Sequence, residues 1–197
     1  MNYLVPNRLK RITDSRLLLA AGEQIKSGNG ISETTCISDV ESLGACKSQK
    51  VSDRLRQGFT IRASVVPDSS RAIESLVIEG RQAILDIAEL ETLCGFYSTR
   101  KITTPRHYDR SAVIVVQLAG IRTVGVDSTP MCHLPQEDKL VHEHTGEFSN
   151  SYRMEAGDVL YIPPGHVHAS SASGETVTLG MGFWPFGENE RVFSQIT

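Results

Sequence analysis

Residues 107–126 read HYDRSAVIVVQLAGIRTVGV and carry a clear β pattern. Apolar side chains alternate with others through two runs that meet at a small-residue turn, which is typical of β-strands. If His107 lies on the first strand, period-2 alternation places His107 and Asp109 on one face and Tyr108 on the other. The sequence therefore predicts a long strand over residues 107–118 that begins with two side chains able to bind a metal.

A second stretch, GDVLYIPPGHVH at residues 157–168, supplies a third ligand of the same kind. A Gly-Asp turn signal and a Pro-Pro-Gly turn bound a short strand, and His168 follows that turn. Two imidazoles and one carboxylate on one side of a metal, with the remaining positions open, form the facial triad of non-haem Fe(II) oxygenases. His166 competes with His168 for the third position, because residues two apart on a strand share a face.

Helical and β patterns outline the rest of the chain. Apolar spacing predicts a helix over residues 15–25, ended by a Gly-Asn-Gly cluster, and a longer helix over residues 71–93 in which Gly80 marks a kink or a break. Residues 127–149 are predicted to be a long loop. The predicted strands are residues 58–66, 96–99, 107–118, 121–126, 152–154, 159–161 and 176–183.

These elements predict a fold that is mainly β with N-terminal helices, in which the strands form a small antiparallel barrel or jelly roll. We expect an N-terminal helical or irregular segment at residues 1–57. We expect a barrel domain at residues 58–197 that includes a helical region at residues 69–93. In the strand at residues 176–183, one face is apolar and the other carries glycines, which suits a strand that lines a ligand cavity.

Composition narrows the class of protein. The chain has 197 residues, 40% hydrophobic and 22% charged, and its formal net charge is −3. This balance is ordinary for a globular domain and gives no basic surface, so we expect no nucleic-acid partner. The apolar run at residues 17–22 is too short to span a bilayer and lacks a clear cleavage site after it. We therefore expect a cytoplasmic protein with no membrane partner.

Residues 107–126 and 157–185 resemble the JmjC-type cupin oxygenases, most closely the bacterial cupin group that includes the ribosomal oxygenases. The resemblance implies a double-stranded β-helix of the jelly-roll or cupin type. It also implies that His107, Asp109 and His168 bind Fe(II). It also implies that Arg122, on the strand after the His-x-Asp strand, holds the distal carboxylate of 2-oxoglutarate. A guanidinium suits this role because it can bind a carboxylate through two parallel hydrogen bonds. By the same resemblance, Tyr97 or Thr99 would give the co-substrate a hydroxyl contact.

The function implied is an Fe(II)- and 2-oxoglutarate-dependent dioxygenase that uses O₂, most simply a hydroxylase of an unactivated C–H bond. The substrate would be an amino acid, a peptide side chain or a biosynthetic intermediate, and the loop at residues 127–149 and His166 are candidates to contact it. Two alternatives stay open. One is a metal-dependent cupin dioxygenase or isomerase that does not use 2-oxoglutarate, and the other is a non-catalytic cupin that binds a small molecule. The oligomeric state is also open, with a homodimer as one expectation.

Overall fold

The computed structural model describes residues 6–37, 60–83, 88–131 and 146–185. Most of the described residues lie in β-strands, as predicted. The elements in chain order are β1 (Asn7–Arg8), α1 (Ser15–Ser27), β2 (Ile31–Ile37), β3 (Thr60–Val65), α2 (Arg71–Ala83), β4 (Ala88–Ser98), β5 (Ile102–Thr103), β6 (Ala112–Ala119), β7 (Arg122–Pro130), β8 (Asn150–Met154), β9 (Val159–Ile162), β10 (His166–Ala172) and β11 (Thr176–Pro185).

Helix α1 begins and ends where its local sequence requires. The carboxylate of Asp14 accepts hydrogen bonds from the backbone N–H groups of Arg16 and Leu17, which caps the first turn. Gly28 adopts the left-handed conformation with φ 77°, and its N–H donates to the carbonyl of Gln24. The helix predicted over residues 15–25 is confirmed and extends two residues further.

Helix α2 is shorter than predicted. It ends at Ala83, residues 84–87 lie outside the described ranges, and Ala88 already belongs to β4. The prediction of helix over residues 88–93 was therefore wrong. Strand β4 pairs with β11 on one side and with β3 on the other. The sheet thus overrides the helix-forming residues of this segment, as tertiary context often overrides propensity.

The strands form two antiparallel sheets. The larger sheet has the order β1-β9-β6-β11-β4-β3-β2, and the smaller has the order β5-β10-β7-β8. One apolar cluster lies between the sheets and joins Val124, Val126 and Met154 of the smaller sheet to Leu160 and Ile162 of the larger. This arrangement of two facing antiparallel sheets around one apolar cluster confirms the predicted double-stranded β-helix barrel.

A second and larger apolar cluster lies between the larger sheet and the two helices. Strand β11 shows how the sequence separates the two sides of that sheet, because its odd-numbered apolar residues are fully buried against the helices. Its even-numbered residues, among them Thr178 and Gly180, therefore face the barrel interior. The predicted division of this strand into a packed face and an open face is confirmed.

The strand predicted over residues 107–118 begins later than expected, at Ala112. Within residues 107–111, His107 alone pairs with another strand, through an isolated bridge to His168. Strand β10, which carries His168, was not predicted at all, because its residues lack an alternating apolar pattern. In the predicted loop at residues 127–149, β7 continues to Pro130 and residues 132–145 lie outside the described ranges.

The N-terminal elements pack as part of the same two-sheet structure. Strand β1 pairs with β9 and β2 pairs with β3, while α1 contributes Leu18, Ala21 and Ile25 to the larger apolar cluster. The expected boundary between residues 57 and 58 lies outside the described residues and stays a prediction. Neither helix in the described ranges is long and apolar enough to cross a lipid bilayer.

Candidate metal centre

Two segments that are distant in sequence meet at His107 and His168. The backbone N–H of His107 donates to the carbonyl of His168 at 3.0 Å, and the N–H of His168 donates back to the carbonyl of His107 at 2.8 Å. Residues that face each other in such an antiparallel pair direct their side chains to the same face of the sheet. The two imidazole rings accordingly lie side by side, with centroids 4.2 Å apart and planes inclined by 56°.

Asp109 completes a group of three potential ligands. One ligand atom each from His107, Asp109 and His168 lies within 4.8 Å of the other two. The Nε2 atom of His168 is 3.5 Å from Oδ2 of Asp109. Gly165, the last residue of the Pro-Pro-Gly turn, donates its N–H to the carbonyl of Asp109 at 2.8 Å and has φ 74°. The structure thus brings the three predicted ligands together and ties the turn to one of them.

Backbone carbonyls orient both rings. Nδ1 of His107 lies 2.9 Å from the carbonyl O of Pro105, and Nδ1 of His168 lies 2.9 Å from the carbonyl O of His166. Because a carbonyl oxygen can only accept, each Nδ1 carries the proton and donates it, which leaves each Nε2 with a free lone pair. Metal-ligating histidines are typically oriented by this kind of second hydrogen bond.

Burial keeps His168 neutral. Its surroundings lower the pKa of the imidazole from 6.5 to about 4, first because burial disfavours the charged form and second because His107 lies close by. A neutral imidazole is the form that binds a metal ion. The donor set of two imidazoles and one carboxylate fits a divalent ion such as Fe(II), on the chemistry of these side chains.

Arg122 is a buried cation on β7. The residue is only 5% exposed, and its Nη1 donates a hydrogen bond to Oγ of Ser170 at 3.2 Å. Its Nε and Nη2 atoms are buried and have no hydrogen-bond partner among the residues that the structure describes. Burial lowers the pKa of the guanidinium from 12.5 to about 10, so the group stays charged at neutral pH. A buried charge with two unpaired donors fits an anionic ligand, and a carboxylate matches the guanidinium fork.

Strand register places Arg122 and the three ligands on one surface inside the barrel. Val126 faces His168 across the β7–β10 pair, and Arg122 faces Ala172 four residues along the same strands. Side chains four residues apart on a strand share a face, and Val124 and Val126 show that this face is turned toward the other sheet. The backbone distance from Val126 to Arg122 is about 13 Å at the usual strand rise. Their side chains face the same interior space, which suits a small elongated ligand.

Sequence reasoning missed Ser170, the hydroxyl residue beside Arg122. Its Oγ lies 3.1 Å from Oγ1 of Thr104, and its backbone N–H donates to the same Oγ1 at 2.8 Å. This pair of hydroxyls fixes the oxygen that accepts from the guanidinium. The signal was present in the sequence, because Ser170 follows His168 by two residues and so shares its face on a strand.

Tyr97 lies on the opposite side of the larger sheet. Its ring packs with the helix-side apolar cluster, and Nζ of Lys26 lies 5.8 Å from the ring centroid. Gly95, on the same face of β4, is covered by Ile25 of α1. The structure therefore does not bring Tyr97 to the interior with Arg122. Thr99 lies in the bend just after β4.

His166 is buried beside the metal-ligand group but is not part of it. The residue is 2% exposed, and its Nδ1 lies 3.1 Å from the carbonyl O of Pro164. Among the described residues, the group whose ligand atoms lie within 4.8 Å of one another contains His168 and does not contain His166. A register irregularity separates His166 from His168 along β10. The geometry thus favours His168 as the third ligand.

The fold is similar to several solved structures. Escherichia coli YcfD matches with a TM-score of 0.64 at 21% identity, over 95% of this chain and 52% of YcfD. A structure of YcfD, a ribosomal oxygenase, in complex with cobalt and 2-oxoglutarate matches with a TM-score of 0.61 at 23% identity, over 95% of this chain and 50% of that one. SnoN, a non-haem α-ketoglutarate-dependent epimerase from nogalamycin biosynthesis, matches with a TM-score of 0.63 at 14% identity, over 91% and 76% of the two chains. The chain spans about half the length of YcfD, and likeness at these identities shows the fold.

Family membership comes from the sequence itself. No curated protein sequence is significantly similar to this chain. The JmjC domain family matches residues 76–190, which is more than half of the 197 residues. The matched range contains the His107–His168 bridge and Arg122. The resemblance seen in two sequence blocks is thus confirmed, and the chain belongs to the JmjC domain family.

Proposed function

We propose that this protein is an Fe(II)- and 2-oxoglutarate-dependent oxygenase that hydroxylates an unactivated C–H bond. The observation that carries the proposal is the buried guanidinium of Arg122, which faces the same interior space as His107, Asp109 and His168. A structural role would pair such a charge with a carboxylate of the protein. Two of its nitrogens have no such partner among the described residues, which supports a role in binding an anionic co-substrate.

The residues of the chain divide into two tasks. His107, Asp109 and His168 would hold the metal ion and leave the opposite side of it open. Fe(II) with 2-oxoglutarate and O₂ supplies the oxidising chemistry when bound, and the barrel positions the substrate and limits side reactions. The two backbone-bonded Nδ1 atoms keep the histidine rings in one orientation before any metal arrives, so little ordering of these side chains accompanies binding.

Arg122 and Ser170 would bind the distal carboxylate of 2-oxoglutarate. The hydroxyl of Ser170 already accepts from Nη1, so Nε and Nη2 are the donors left for the carboxylate. Each charge-assisted hydrogen bond contributes about 1.5–3 kcal/mol. Neutralising a buried guanidinium also removes the electrostatic cost of its burial, which adds to the affinity of an anion at this site.

The relatives agree with this assignment. YcfD was solved with cobalt and 2-oxoglutarate, and SnoN is described as dependent on α-ketoglutarate. We propose a small molecule or a peptide side chain as the primary substrate. A cytoplasmic location remains part of the proposal.

Anaerobic titration with Fe(II) and then 2-oxoglutarate tests the assignment. A weak visible charge-transfer band of the chelated co-substrate should form, and succinate should appear slowly after O₂ is admitted. Asp109→Ala should abolish the band through loss of the metal, and Arg122→Met should shift the band to much higher 2-oxoglutarate concentration. A wild-type protein that binds metal but gives neither band nor succinate would instead favour a cupin that does not use 2-oxoglutarate.

A further inference from the structure

The side chain of Arg106, the residue before His107, is held on the outside of the smaller sheet. Its guanidinium carbon lies 3.7 Å from the centroid of the Phe148 ring, and its Nη1 lies 4.0 Å from Oδ2 of Asp127. Its Nη2 donates a hydrogen bond to the carbonyl of Gly146. The Arg106 side chain is only 18% exposed. We call Arg106, Asp127 and Phe148 the outer clamp.

The outer clamp rests on the strand pair that carries His168. The ring of Phe148 covers Gly125 so closely that a Cβ atom there would lie 2.1 Å from Cδ2 of the ring. Gly125 pairs with Ala169, the residue that follows His168 on β10. The inner face of the smaller sheet therefore carries His168. The outer clamp packs on the outer face, opposite the next residue along β10.

A short covalent path links Arg106 to the ring of His107. The backbone N of Arg106 and the carbonyl of Pro105 belong to one planar peptide group. That carbonyl accepts the hydrogen bond from Nδ1 of His107 at 2.9 Å. Any shift of the Arg106 backbone consequently moves the oxygen that orients the imidazole. A metal site tolerates only about 0.5 Å of displacement of its ligands.

We propose that Arg106 is a positioning residue for His107 and tunes the metal affinity of the centre through the Pro105–Arg106 peptide group. The inference rests on the proposed metal site and deepens it. The guanidinium of Arg106 contacts Phe148 and lies near Asp127 on the outer face of the smaller sheet, away from the ring of His107 that its peptide group orients. Exposed ion pairs contribute little, but this guanidinium is mostly shielded, packs on a ring and donates to a carbonyl, and a carboxylate lies 4.0 Å from its Nη1 without a hydrogen bond to it.

The test measures the affinity of the purified protein for Co(II), a spectroscopic substitute for Fe(II), together with the unfolding temperature of the metal-free protein. Arg106→Met should weaken Co(II) binding about tenfold, the lower end of the effect known for residues that orient metal ligands. Arg106→Lys keeps the charge but loses the planar fork, so it should recover only part of the affinity. Arg100→Met, the same change at an exposed arginine of the turn after β4, should leave the affinity within about twofold of wild type.

Phe148→Leu gives an independent variant, since it removes the ring and leaves the Arg106–Asp127 contact. It should weaken Co(II) binding by less than Arg106→Met and should alter the visible Co(II) spectrum in the same direction. Unchanged Co(II) affinity in both clamp variants, with or without a lower unfolding temperature, would leave the clamp a purely structural feature and overturn the inference. Failure of the wild-type protein to bind Co(II) would instead count against the proposed function itself.

Discussion

Replacing Arg122 with Met should make the metal-free protein more stable while it removes 2-oxoglutarate binding. Burial lowers the pKa of this guanidinium from 12.5 to about 10. At 1.36 kcal/mol per pKa unit, the charged form costs about 3 kcal/mol in the folded state. Neutral pH lies below both the folded and the unfolded pKa, so this cost is fully present there and would disappear only as the pH rises above about 10.

Met is close to Arg in length and has no charge, so Arg122→Met removes this cost without opening a large cavity. Buried charges replaced by apolar groups of similar size often raise stability by about 1–4 kcal/mol. For a chain of this size, 2 kcal/mol corresponds to about 4–8 °C in the unfolding temperature. The same change removes the donors that would hold the distal carboxylate, and about 3 kcal/mol of lost binding is a factor of about 100 in affinity.

The assay is thermal unfolding of the Co(II)-loaded and metal-free proteins, each with and without 2-oxoglutarate, with calorimetry for the affinity. The matched control is Arg153→Met, because the Arg153 side chain is 59% exposed and pays no comparable burial cost. The control should unfold within about 2 °C of the wild-type temperature, and 2-oxoglutarate should raise its unfolding temperature as it does for wild type. A metal-free Arg122→Met protein that unfolds at lower temperature and still responds to 2-oxoglutarate would refute the reasoning.

Three further predictions follow from the described contacts. Burial lowers the pKa of the His168 imidazole from 6.5 to about 4, so between these two pH values the unfolded state binds the proton and the folded state does not. The free energy of unfolding of the metal-free protein should therefore fall as the pH is lowered from 6.5 to 4. A His168→Gln variant with the same pH dependence of the unfolding free energy, measured in urea, would contradict this. Gly125→Ala should destabilise the protein by about 2 kcal/mol because its Cβ would overlap Phe148, and the effect should vanish in a Phe148→Ala background; additive losses in urea unfolding would argue against it. Ser170→Ala should weaken 2-oxoglutarate binding about fivefold, less than Arg122→Met does. Equal losses of affinity in the two variants, measured by calorimetry, would contradict the roles proposed for these residues.

The parts of the molecule that sequence predicted well are those whose pattern matches their final surroundings. Helix α1 has a capping aspartate, an apolar stripe and a terminal glycine, and all three act locally. The odd-numbered apolar residues of β11 indicate a sheet with one covered face, which is what the helices provide. His107, Asp109 and His168 could be proposed as ligands because their residue types and turn signals are independent of the exact strand limits, and the structure brings their ligand atoms within 4.8 Å of one another.

The errors arose where long-range pairing decides the structure. Residues 88–93 include good helix formers, yet β4 is fixed between two other strands. The family resemblance offers Tyr97 or Thr99 as a hydroxyl contact for the co-substrate, but the side chain of Tyr97 lies on the helix side of the sheet, because one residue of parity decides the face. Ser170 was overlooked because β10 has no alternating apolar pattern and was not predicted as a strand, so the two-residue spacing from His168 to Ser170 could not be interpreted as a shared face.

The bridge between His107 and His168 has a consequence for how the chain folds. The two residues are 61 positions apart, and among the described residues they meet through a single isolated pair of backbone hydrogen bonds. An ion held by both imidazoles would close that loop much as a disulfide does, and a cross-link of this span restricts the unfolded chain by about 4 kcal/mol. An ion that stayed bound to both imidazoles in the unfolded chain would then decrease the conformational entropy of the unfolded ensemble and shorten the search for this distant contact during refolding. A bound ion would thus act as a cross-link between two distant segments of the barrel.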